Sequence, residues 1–73
     1  MKLINKFSKV VDANNVDVSE LASTIKMDSG IITRVYKQVD DDISIVIATR
    51  LVTGLQKMGI NVNLNDVFEV GNV

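Results

Sequence analysis

Between Val18 and Lys37 the apolar residues recur at helical spacing twice, and only a few residues separate the two runs. In the first run Leu21, Ala22 and Ile25 share a face, and in the second Ile32 and Val35 do. Two short helices joined by so tight a turn must pack closely, which requires a small residue where they cross and apolar residues on both inner faces. Ala22 is small enough for the crossing. Leu21, Ile25, Met27, Ile32 and Val35 line the inner faces.

Local signals bound these helices and place others around them. Asp17, three residues before Glu20, has the form of a capping box, worth about 1 kcal/mol, and predicts a helix from Val18 to Lys26. Met27, Asp28, Ser29 and Gly30 break the period, and Asp28 or Ser29 can cap a further helix from Gly30 to about Val39. Upstream, Leu3, Ile4, Phe7, Val10 and Val11 form an apolar stripe with Lys2, Lys6 and Lys9 between them. That spacing predicts a first helix to about Ala13, ended by Asp12, Asn14 and Asn15, because Asx side chains compete for backbone hydrogen bonds. Downstream, Ile43, Val46, Ile47, Leu51, Val52, Leu55 and Met58 predict a long helix ending at Gly59, where a left-handed cap is usual. β-Branched Ile45 and Val46 make a strand the competing reading of its first residues, but the spacing over the whole run favours helix. Asn63 or Asn65 can start a last turn in which Leu64, Val67 and Phe68 close the core.

A chain of 73 residues supports one core, since a domain this small buries only about 60% of the surface its unfolded chain exposes. With 47% apolar and 23% charged residues it has the material for that core. The expectation is one compact all-α domain over residues 1–73, with four to five helices and no linkers or repeats. The absence of Cys and His removes thiolate and imidazole ligands and the usual nucleophile and base pairs, so neither metal, cofactor nor enzymatic activity is expected. Asp40, Asp41 and Asp42 are the only carboxylate run, but three consecutive side chains point in different directions. They are better read as an acidic cap at the positive end of the fourth helix. No apolar run approaches the roughly 18 residues that span a bilayer, and the start lacks the apolar core of a signal peptide. A soluble cytoplasmic protein is expected. A net charge of −1 is awkward for a nucleic-acid binder, which usually needs a basic excess to displace counterions from phosphates.

The stretch Val18-Ser-Glu-Leu-Ala-Ser-Thr-Ile-Lys-Met-Asp-Ser-Gly-Ile-Ile-Thr-Arg-Val-Tyr-Lys37 resembles the helix-turn-helix of the Cro and lambda-repressor-type family, often called XRE-type. Gly54-Leu-Gln-Lys-Met-Gly-Ile60, followed by Leu64-Asn-Asp-Val-Phe68, is similar to that family's closing helices, so the resemblance runs from Leu3 to Phe68. Two departures stand out. Lys26 occupies the turn position usually held by Gly, which costs about 1 kcal/mol if φ must be positive. The loop after the second helix of the pair is Asp40-Asp-Asp42, where the family is often basic or rich in Asn and Gly.

The resemblance implies that the outer face of that second helix is a recognition surface made of Ser29, Gly30, Ile31, Thr33, Arg34 and Lys37, with Ser19 near a phosphate and Asp28 at the rim. Two functions follow. In the first, which we prefer, the surface docks on a partner repressor and blocks its DNA-reading helix. The small antirepressors of temperate-phage switches, called modulators of repression, look similar in size and character. Ile31, turned about 100° from inward-facing Ile32, is expected to be exposed, and Asp40, Asp41 and Asp42 would complement a repressor's basic face. In the second, a Cro-like repressor binds operator DNA as a homodimer, with Arg34 on a guanine, Thr33 on a thymine methyl and Lys37 on phosphate. Dimer contacts would come from the fourth helix or from Val67 to Val73.

Overall fold

The paired helices form as the periodicity requires. α2 (Val18–Ile25) buries Leu21, Ala22 and Ile25, and α3 (Ser29–Lys37) buries Ile32 and Val35. The computed structural model describes residues 2–37 and 44–71, and around this pair it places α1 (Phe7–Asn14), α4 (Ile45–Lys57) and the single turn α5 (Leu64–Val67). Apart from Phe68, the described core is built from helices. Only the two chain ends depart from this, as short strands β1 (Lys2–Asn5) and β2 (Phe68–Gly71) that pair antiparallel, Lys2 opposite Gly71 and Asn5 opposite Phe68. Asp40, Asp41 and Asp42, together with Val39, Ile43 and the final Val73, lie outside the described residues.

β1 corrects the expectation that the first helix starts at Leu3. Its backbone partners come from the far end of the chain, so no local spacing could reveal them. Asn5 then turns the chain into α1. Its Oδ1 accepts from the Phe7 amide at 2.9 Å while its Nδ2 donates to the Val35 carbonyl at 2.9 Å, and the Lys6 amide donates to the Val67 carbonyl at 2.8 Å. Ile4 is consequently 48% exposed rather than part of a buried stripe. Lys6 also pairs with Glu69 at 3.4 Å across this edge, a partly solvated contact of small energetic weight.

Three helices end in the same way. Asn15 (φ 52°), Lys26 (φ 53°) and Gly59 (φ 88°) each take left-handed geometry just past a helix. The next amide reaches back five residues: Val16 to Val11, Met27 to Ala22 and Ile60 to Leu55, each at 3.0 Å. This Schellman arrangement satisfies carbonyls the helix leaves open and folds the following apolar side chain onto the core. Val16, Met27 and Ile60 all pack there. Gly pays nothing for the conformation and Asn little, whereas Lys26 carries about 1 kcal/mol of strain. The turn keeps its shape without glycine, and α2 therefore stops at Ile25, one residue short of the expected end.

The N-termini of α2 to α5 are capped by short polar side chains. Asp17 accepts the Ser19 amide at 2.9 Å, Asp28 accepts the Gly30 amide at 2.8 Å and Ser44 accepts the Val46 amide at 3.2 Å. The box with both arms made belongs to Asn63 and Asp66, which start α5.

α4 buries Ala48, Leu51, Val52 and Leu55. Val46, expected in its buried stripe, is 63% exposed, because two residues rotate it about 200° from Ala48. Ile45 is 54% exposed in the first turn of α4. Further along, at Gly54, α4 packs tightly on α2. A Cβ on Gly54 would stand 2.5 Å from Ile25 Cγ2 and 2.6 Å from Leu21 Cδ1, so glycine is what lets α4 settle onto α2. Phe7 and Phe68 finish the core, fully buried with ring planes 8° apart and centroids at 6.2 Å, an offset stack. Because Val67 and Phe68 are wholly inside, neither is available to the dimer interface expected of the tail. Among the described residues, no helix is long and apolar enough to cross a membrane.

Candidate interaction surface

With Ile32 and Val35 turned inward, α3 presents Ser29, Gly30, Ile31, Arg34 and Lys37 to solvent, and Thr33 is half-buried beside them. Ile31 is 40% exposed, as its rotation from Ile32 requires. The Thr33 hydroxyl donates to the Ser29 carbonyl at 2.9 Å, so its methyl and the hydroxyl's lone pairs are what remain for contact. Arg34 and Lys37 lie one turn apart in the C-terminal half of α3, where a cation also suits the helix dipole. Six of the expected residues therefore share one short helical surface, apolar near its start and basic towards its end.

The remaining expected residues behave differently. Ser19 is exposed, but it stands at the far end of α2 from the turn, and its amide is already given to Asp17. Asp28 spends its carboxylate on the first turn of α3. Helix N-termini bind anions because their free amides point outward. Here both are filled by the protein's own carboxylates. Asp40, Asp41 and Asp42 fall outside the described residues, so their place beside this surface is not part of its geometry.

A side-chain hydrogen bond joins α3 to α1 at the surface, beside their shared core. The Tyr36 hydroxyl donates to Asp12 Oδ1 at 2.7 Å. That hydrogen bond and the nearby negative charge favour the neutral phenol and raise the Tyr36 pKa above the ordinary 10.0.

A second feature draws on residues that no single run of sequence brings together. Arg50 reaches from α4 to the end of α2, where its Nη2 donates to the Ile25 carbonyl at 2.7 Å. Around that bond lies an open groove of about 390 Å³, lined by Thr24, Ile25, Lys26, Thr49, Arg50, Thr53 and Lys57. Three cations and three hydroxyls face it, with no carboxylate. The only advance signal of this place is Lys26 itself, a charged residue where the backbone prefers glycine.

No known protein-family model matches this chain, and no curated protein does.

Proposed function

We propose that this chain is a cytoplasmic component of a transcriptional switch that works by binding: an antirepressor of Cro-like helix-turn-helix type. In this reading the face of α3 docks on a partner repressor and blocks that protein's DNA-reading helix. The observation that carries it is Ile31, an apolar side chain 40% exposed in the first turn of α3, where a DNA reader would place polar contacts for base edges. Apolar spots rimmed by polar and charged groups are the usual material of protein interfaces. The two filled helix N-termini point the same way. A phosphate approaching Ser19 or Gly30 meets the carboxylate of Asp17 or Asp28 before it meets a free amide.

Arg34 and Lys37, both exposed, favour a second reading, in which a dimer of this chain places α3 in the major groove with Arg34 bidentate on a guanine. Ile31→Asp separates the two. Co-purification with the repressor encoded beside the gene is expected to be lost in this variant, with the helical circular dichroism unchanged, and retained binding would overturn the antirepressor reading. A gel shift of the protein alone on its own promoter region, weakened by about 1 to 3 kcal/mol in Arg34→Ala, would establish the DNA reader instead.

A further inference from the structure

We infer that the groove between the end of α2 and the outer side of α4 is a second binding site, which takes a short acidic segment of a protein partner. Its lining supplies Lys26, Arg50 and Lys57 with no carboxylate among them. The one ion pair among the described residues, Lys6 with Glu69, lies elsewhere, so these three cations are uncompensated by described acidic groups. One guanidinium N–H of Arg50 holds the Ile25 carbonyl, which fixes the side chain at the groove and leaves the rest of its five donors for a ligand. A fixed guanidinium suits a carboxylate, which it can grip through two parallel bonds. Thr24, Thr49 and Thr53 give their hydroxyl protons to carbonyls four residues back on their own helices. Their methyls and oxygen lone pairs then form a floor neutral enough to receive a peptide.

The backbone of Lys26 is the independent mark of use. Glycine would hold this turn without strain, yet a lysine at φ 53° stands there and delivers its ammonium to the groove. Strain kept at one residue, with its side chain in a charged cleft, is the pattern of a binding position. Arg50 and Lys57 are two turns apart on α4, about 10 Å along its axis. An extended peptide crosses that distance in about three residues. A DNA duplex fits less well, since its continuous rail of phosphates would run on past the groove to the Asp28 carboxylate beside the turn, which a short segment need not reach.

The test is an NMR titration of the whole protein, labelled with nitrogen-15, against an acidic hexapeptide of alternating Asp and Glu, inorganic phosphate and a random-sequence DNA duplex. The peptide is expected to shift the amides around Lys26, Arg50 and Lys57 in a saturable, salt-sensitive way, more tightly than either other probe. Lys26→Gly, alone and combined with Lys57→Gln, separates use from structure. Lys26→Gly is expected to raise the melting temperature by about 4 to 8 °C while weakening peptide binding, and the double variant to weaken it at least tenfold. Unchanged peptide affinity in the double variant overturns the inference, as does phosphate or DNA saturating the same amides at least as tightly. Ile31→Asp is expected to leave this binding intact, so the groove and the α3 surface stand or fall separately.

Discussion

The α2–α3 pair and the clasp formed by the two chain ends are held together by different kinds of contact. Each helix of the pair is specified within about ten residues by local signals: the cap Asp17, the stripe residue Leu21 and the stop Lys26 for α2, and the cap Asp28 with the stripe of Ile32 and Val35 for α3. The clasp has no such local instructions. β1 meets β2, Phe7 meets Phe68 and Asn5 meets Val35 only after the intervening chain has folded back. In a chain this short, local contacts fix where helices lie, and a few distant contacts decide whether they close on one core.

That contrast can be broken most severely at Phe7. Phe7→Ala removes half of a fully buried ring stack and is expected to cost about 3 to 5 kcal/mol, enough to unfold much of a marginal domain. Urea denaturation followed by circular dichroism measures the loss. A cost below 1 kcal/mol would mean that the ends contribute little and the helices close by themselves. Asn5→Ala is a finer cut, because it removes both side-chain bonds joining β1 to α1 and α3, at about 1 kcal/mol each. Hydrogen exchange is expected to quicken first in β1 and β2, and quickening of α2 and α3 to the same extent would contradict the division drawn between the two regions.

The smallest effect sharpens the comparison from the side of α3. The bond from Tyr36 to Asp12 favours the protonated phenol in the folded protein, so its contribution is fully present below the unfolded pKa near 10 and is lost as pH rises through the higher folded value. Tyr36 is the only tyrosine, and ultraviolet titration follows it alone. Its midpoint is expected above 10 and to fall towards 10 in Asp12→Asn. A midpoint already at 10 in the parent protein would show that the bond does not persist in solution.

The same division explains what could be read in advance. The buried faces of α2 and α3 and the exposure of Ile31 follow from a rotation of 100° per residue, and Gly59 and Asn15 announce left-handed ends by residue type. β1 could not be read, because Leu3, Ile4 and Phe7 satisfy a helical spacing equally well and the deciding partner lies beyond any local window. Val46 departs from its expected place for a related reason. A β-branched residue next to Ile47 fits a stripe in sequence, and only the true phase of α4, with Ala48 buried and Gly54 against α2, turns it outward. Of the candidate surfaces, the face of α3 is one helix and hence legible. The basic groove joins Lys26 to Arg50 and Lys57 across a helix contact that only Gly54 permits, and nothing in the spacing of those residues declares it.

The pairing of β1 with β2 also sets an order of events during synthesis. Phe7 is made early and its ring partner Phe68 late, so the stack that completes the core waits for the last part of the described chain. A chain ended before Phe68 would leave the Phe7 ring without its stacking partner and open that apolar face to water, where it favours association over folding.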